Sequence, residues 1–289
     1  MKFVDLSFII PALVFYCVFF IYPSICSVFY SFTSWSGLEK VIHFVGFSNY
    51  AKIFRDDRVF ASLSNTFIIT IVVVIAQNVC ALALAVALND KIKTRNLIRT
   101  VFFMPALLSA LVIGFVWSYI LNPVDGLLNT VLDTIGLHAL SIDWLGRTDT
   151  ALYAVIFVIL WQCTGYAMVI YLAGLKNVPI EYYEAASIDG SNEWQRFRSI
   201  TFPLIAPSFT INILLSTIGC LKTFDVIFAM TQGGPGYATE TIATVIFAKA
   251  FGSENEFSYG TSIAVVLFIL IFIVSLFMVN FLRKRELEL

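Results

Sequence analysis

The sequence predicts an all-α integral membrane protein, one domain over residues 1–289 with six membrane-spanning helices. Three observations carry that reading. Of the 289 residues, 59% are apolar and 13% charged, whereas soluble domains run at about 45–50% and about 25%. Mean hydropathy is +0.88, and a soluble chain of this length could not hide so much apolar surface, because surface area falls too slowly with size. The apolar residues also gather into runs of roughly 20 or more, the length that crosses a bilayer. Only helices and closed barrels satisfy backbone polar groups in lipid, and the short alternating strands of a barrel do not occur.

The candidate spans are about 7–31, 66–89, 98–121, 151–174, 205–230 and 260–282. The first follows a single basic residue, Lys2, exceeds a signal-peptide core in length and is not closed by a small-residue cleavage site, so it reads as a retained span. Pro11 and Pro23 in the first span and Pro105 in the third predict kinks, which neighbouring helices or water make tolerable in a membrane. Basic residues orient the chain. With the N-terminus inside, the inner segments carry Lys2, Lys91, Lys93, Arg95, Arg99, Lys176, Arg196, Arg198, Arg283, Lys284 and Arg285, against Lys40, Lys52, Arg55, Arg58, Arg147 and Lys249 in the longer outer loops. The positive-inside rule therefore puts both termini in the cytoplasm. The outer loops, roughly 32–65, 122–150 and 231–259, hold turn formers and scattered aromatics, and 47–66 has the spacing of short interfacial helices.

Several function classes are disfavoured. A net charge of −1 offers no basic field to nucleic acid. The five cysteines lie in apolar runs without a CxxC partner, so neither a disulfide frame nor a metal site is expected, and His43 and His138 are solitary. Gly233–Gly236 is a turn and not a phosphate loop, since the Lys-Ser/Thr and the strand–helix context are missing. The spans hold no clustered His, Asp or Ser for intramembrane catalysis. A self-sufficient carrier would need an ion-coupling site, and only Lys222 and Asp225 are charged within the spans. Three residues apart on one expected helix face, they read first as a local ion pair.

The segment 176–204 is the polar exception. Pro179 suits the first position of a helix, Glu181 and Glu184 favour its positive end, and Gly190 suits its stop. Ser191 is placed to cap a second helix with Glu193 in its first turn. Trp194, Phe197 and Thr201 or Leu204 then share one face, and Pro203 and Pro207 mark the turn into the fifth span. These residues predict a helix–turn–helix elbow, either a docking surface or a solvated connector resting on lipid.

Glu184-Ala185-Ala186, three residues, Gly190, nine residues, Ile200, one residue and Phe202-Pro203 reproduce the cytoplasmic signature of permease subunits of binding-protein-dependent ATP-driven importers, with Phe202 where Leu is usual. Asp189, Trp194, Phe197 and Pro207, together with "GFSNYAKIF", "FFMPALLSALVIGFVW" and "LKTFDVIFAMTQGGPGYATET", resemble the carbohydrate branch of that family. The resemblance covers nearly the whole chain. It implies a MetI-like permease fold in the bacterial cytoplasmic membrane, a second homologous permease, a pair of ATP-binding subunits that carry ATP and Mg²⁺, and an extracytoplasmic binding protein that delivers the solute. It implies no catalytic residue, metal or cofactor on this chain. It places Glu184, Ala185, Ala186, Asp189, Gly190, Trp194, Phe197 and Pro203 at the ATPase-docking elbow.

A neutral sugar needs amide and hydroxyl partners and an aromatic face. Polar residues inside spans usually face a path or join neighbouring helices. Asn212, Ser216, Lys222 and Asp225 in the fifth span, with Gln162 and Trp161 in the fourth, are the candidate solute path; Gln77, Asn78, Thr164, Thr217 and Thr223 are further polar groups, and Trp117 and Tyr119 further aromatic ones. Related cargoes such as amino acids or phosphate esters stay open, although a phosphate would want more cations than Lys222.

Overall fold

A computed structural model describes residues 3–89, 93–252 and 254–284, with side chains from residue 9 onward. Lys2, Lys91 and Arg285 of the orientation argument lie outside the described residues. These fold into helices, and the pairing between strands is limited to one isolated bridge between Thr33 and Phe44 among them. In chain order the helices are α1 (Phe3–Tyr16), α2 (Tyr22–Tyr30), α3 (Ser48–Ile53), α4 (Asp57–Asn89), α5 (Arg95–Phe103), α6 (Ala110–Ile120), α7 (Leu127–Thr134), α8 (Ala151–Lys176), α9 (Ile180–Ile188), α10 (Glu193–Arg196), α11 (Phe202–Leu204), α12 (Ala206–Leu221), α13 (Asp225–Met230), α14 (Ile242–Phe251) and α15 (Phe257–Arg283).

Four stretches are long and apolar enough to cross a membrane unbroken: Ile9–Tyr30, Asp57–Asn89, Ala151–Lys176 and Phe257–Arg283. The third and fifth expected spans are instead bent pairs. Arg95–Leu107 meets Ala110–Ile120 at 100°, and Glu193–Leu204 meets Ala206–Leu221 at 68°. The first bend has a local cause. Pro105 lies in one tight turn, Met104–Leu107, after which Leu108 and Ser109 turn extended and Ser109 becomes the residue before α6. The expected 205–230 helix also stops early, because Lys222 leaves helical geometry and α13 starts afresh at Asp225. Two residues three apart share a face only along a continuous helix. With the helix broken between them, Lys222 and Asp225 form no ion pair among those of the described residues, which corrects that expectation.

The chain forms two compact units. One holds residues up to 60 with 242–270. Within it the apolar window of Ile9–Tyr30 has no buried residue, so lipid or another chain must cover it. A polar and charged clasp ties the rest together. Asn49 donates to the carbonyls of Ser31 and Thr33, Thr33 bonds Ser258, and Arg58 and Lys249 both pair with Glu254. Burial works to raise the Glu254 carboxyl, but its hydrogen bonds to Lys249 and Arg58 win and hold it below the usual carboxylate range.

Among the described residues the other unit holds 61–241 and 271–284. Its core has two parts. Ile69, Val73, Ile113, Val155, Val158 and Ile227 fill one, and Ala81, Ala85, Met168, Tyr171, Leu175 and Ile205 fill the other. Helix α8 runs through both, so its rotation decides what faces inward. A single glycine lets the bent third element come close: a Cβ on Gly165 would overlap the carbonyl oxygen of Phe102 and crowd the Cα of Phe103. Gly114 does the same service between α6 and α13, where a Cβ would press on the Ala229 side chain and the Val226 carbonyl.

Candidate functional site: an intramembrane cavity and a helical elbow

Helices α8 and α12 pack together, and their polar residues meet Asn78 of α4 in a buried network. Tyr171 Oη donates to Asn78 Oδ1 at 2.6 Å, Asn78 Nδ2 donates to Ser216 Oγ at 3.3 Å, and Asn212 Nδ2 donates to the Ala167 carbonyl at 3.1 Å. Tyr171 is fully buried and was not singled out from the sequence. Tyr171→Phe keeps the ring and strips Asn78 Oδ1 of its donor, which costs about 1–3 kcal/mol for a buried acceptor left unpaired. The solubilised protein should melt several degrees lower, read by a thermal-shift assay.

Beside this network lies a cavity of about 550 Å³. Gln77, Gln162, Asn212, Ser216, Lys222, Thr223 and Asp225 supply its polar wall, and Tyr166 and Phe224 its aromatic faces. Five of the six expected path residues are thereby brought together. Trp161 is not among them: it packs edge-on against Trp117 at 5.5 Å, outside the cavity lining. At about 3.6 residues per turn, Trp161 and Phe157 lie on the side of α8 away from Gln162 and Tyr166. Trp117 and Tyr119 are likewise outside the cavity lining. The cavity can do one thing well. Its amides and hydroxyls both give and take hydrogen bonds, its single cation is offset by one carboxylate, and half-exposed Tyr166 presents a ring. That set complements a neutral polyol. No group of three or more His, Cys, Asp or Glu that could hold a metal occurs among the described residues.

The elbow follows α8. Pro179 stands just before α9 with extended ψ, one position earlier than expected, and α9 ends at Ile188. Gly190 has φ +74°. Its N–H donates to the Ser187 carbonyl and that of Ser191 to the Ala186 carbonyl, the paired bonds of a Schellman stop. The next cap falls on Asn192 and not on Ser191. Asn192 Oδ1 accepts from the Gln195 N–H while Gln195 Oε1 accepts from the Asn192 N–H, a full capping box. Ser191 is diverted, its hydroxyl donating to the Ala186 carbonyl at 2.6 Å. Tyr183 bonds Thr201 at 3.0 Å across the elbow. Trp194 stacks on Phe197, Phe197 meets Phe202 and Phe202 meets Phe209, so the aromatic face runs past Pro203 to α12. Glu184, Ala185 and Asp189 are exposed, as are Ile188 at 87% and Trp194 at 67%; Ala186 is half-buried. The elbow thus presents large apolar side chains beside carboxylates on one exposed surface.

Residues 77–287, which hold both the cavity helices and the elbow, match the family described as binding-protein-dependent transport system inner membrane component. The chain belongs to this family. As a member it is a multi-pass component of the cytoplasmic membrane and a transport subunit, not an enzyme. Among curated relatives, the "Probable starch degradation products transport system permease protein AmyD" of Thermoanaerobacterium thermosulfurigenes is 35% identical over 282 residues, covering 98% of this permease and 94% of the relative. The "Multiple sugar-binding transport system permease protein MsmF" of Streptococcus mutans is 35% identical over 280 residues, 97% and 95% of the two chains. The fold matches a chain of a solved bacterial alginate ABC transporter in complex with alginate pentasaccharide-bound periplasmic protein, with a TM-score of 0.85 at 20% identity over 98% of this permease and 94% of that chain.

Proposed function

We propose that this permease lines, with a second permease, the path of an ATP-driven carbohydrate importer, and that the cavity between α8 and α12 receives the sugar. In this reading the two bent pairs are the third and fifth of six spans, both termini are cytoplasmic, and the elbow within 176–204 docks on an ATP-hydrolysing partner chain that holds ATP and Mg²⁺. A binding protein outside hands over the solute. The observation that carries the reading is the cavity's wall of Gln162, Asn212 and Ser216 beside Tyr166, with only one cation, Lys222, and one carboxylate, Asp225. The names of the curated relatives, which point to starch products and multiple sugars, support the same cargo class. A glycerol phosphate ester is the second reading, and a wall with one cation, Lys222, and a carboxylate, Asp225, that would repel the phosphate argues against it.

Asn212→Ala and Ser216→Ala test the site. Each removes one neutral hydrogen-bonding group, worth about 0.5–1.5 kcal/mol, so uptake in vesicles carrying the whole importer should show a KM raised about two- to tenfold. Size-exclusion profiles of the complex separate this from lost assembly. Unchanged uptake kinetics in both variants, with the complex intact, would move the solute elsewhere.

A further inference from the structure

A second pocket, about 380 Å³, lies where α6 ends, α7 runs and α8 begins. We propose that it holds an acyl chain of a membrane lipid. Trp117, Leu121, Leu128, Trp144, Tyr153 and Phe157 form its wall. The surface that faces it is almost wholly apolar, and two of its polar side chains are spent within the protein. Trp144 Nε1 donates to Asn129 Oδ1 at 2.9 Å, and Thr150 Oγ1 donates to the Trp144 carbonyl at 3.0 Å. Such a wall offers a sugar little to bond, and water would find too few of the 2–4 partners it needs. Hydrocarbon needs none.

Position argues the same way. α8 is one of the four unbroken spans. On it Tyr153 and Phe157 are four residues apart, one stripe, and they are 66% and 54% exposed. That stripe lies about half a turn around α8 from Gln162 and Tyr166, which line the solute cavity. The pocket is therefore on the side of the helix turned away from the proposed path, and continuous with an apolar surface that a membrane protein presents to lipid. It also sits at the last turn of α6 and the first turns of α8, the end of each helix, where indole and phenol rings with one polar tip suit the membrane–water boundary. The inference uses the membrane placement of the chain and is independent of which solute it carries.

The test uses the whole importer in vesicles of phosphatidylethanolamine and phosphatidylglycerol, a fraction carrying a photoreactive diazirine on the acyl chain. After illumination, adducts are mapped by peptide mass spectrometry. They should concentrate on peptides holding Trp117 to Leu128 and Trp144 to Phe157. Ala154→Phe fills the pocket from α8 and should remove most of that adduct, while labelling of the exposed Phe268 and Phe272 stays constant. Leu128→Trp fills it from α7 and serves if the first variant fails to assemble. Even labelling of all exposed faces, unchanged by a filling variant that assembles, overturns the proposal. So does a photoreactive residue at position 157 that captures a second protein chain in place of lipid.

Discussion

Gly165→Leu should leave almost no folded permease in the membrane. Gly165 is where α8 touches the main chain of Phe102 and Phe103, and a Cβ there would overlap backbone atoms. Backbone cannot rotate away as the end of a long side chain can, so the whole of α5 and the turn at Pro105 would have to retreat. Overpacking of this kind typically costs about 1–3 kcal/mol and more where nothing yields. Total stabilities are about 5–15 kcal/mol. Leucine adds three further carbons to the same collision, so the loss should approach the whole. Gly219 provides the contrast. It lies in α12, where a Cβ would meet nothing within 4 Å, and alanine at a helical glycine gains up to about 1 kcal/mol. Membrane yield and a monodisperse chromatographic peak of a fluorescent fusion should be near wild type for Gly219→Ala, reduced for Gly165→Ala and abolished for Gly165→Leu. A wild-type peak and melting temperature for Gly165→Leu would sink the close-approach account.

What could be read from the sequence divides by physical range. The long apolar runs behind α8 and α15 are visible because hydropathy is a property of the segment itself. Hydropathy is silent about where a helix begins in polar surroundings, so α4 starts at Asp57 and not near 66. It is equally silent about a break inside an apolar stretch: "LKTFDVIFAM" stays greasy across Lys222 and Thr223, where the chain turns. The proline at 105 announced a kink but not its 100°, which is completed by the extended Leu108 and Ser109 that follow the turn. The elbow was the most legible part because its signals are local: a proline before a helix and a glycine after it. Its cap was misplaced by one residue, although Asn192-x-x-Gln195 carries the capping-box pattern in plain view. In the cavity the polar members were legible as costly intramembrane groups. Tyr166 was missed and Trp161 chosen instead, because which aromatic faces the cavity depends on the rotation of α8 against its neighbours.

Gly190→Val should uncouple the importer while leaving the permease assembled. Backbone conformation alone decides the effect. At φ +74° an L-residue pays about 1–2 kcal/mol, a β-branched one more, and a Cβ at this position would meet nothing within 4 Å. Valine thus creates no clash; it makes the left-handed turn itself unfavourable. The chain escapes by moving φ to a negative value, which breaks the bonds from Gly190 and Ser191 to the Ser187 and Ala186 carbonyls and re-aims α10 relative to α9. Each 1.4 kcal/mol against the bent elbow lowers its population about tenfold. If force from the ATPase chain enters through the exposed face of Glu184, Ile188 and Trp194, solute-stimulated ATP hydrolysis and uptake should both fall about tenfold or more. Asn tolerates the left-handed region, so Gly190→Asn should keep most of the activity even though its side chain is the larger addition in hydrogen-bonding terms. The order Gly, Asn, Ala, Val distinguishes conformation from contact, since a steric account would rank Ala above Asn. Full solute-stimulated ATPase activity and uptake in the valine variant would show that the bend at Gly190 is not what transmits the stroke.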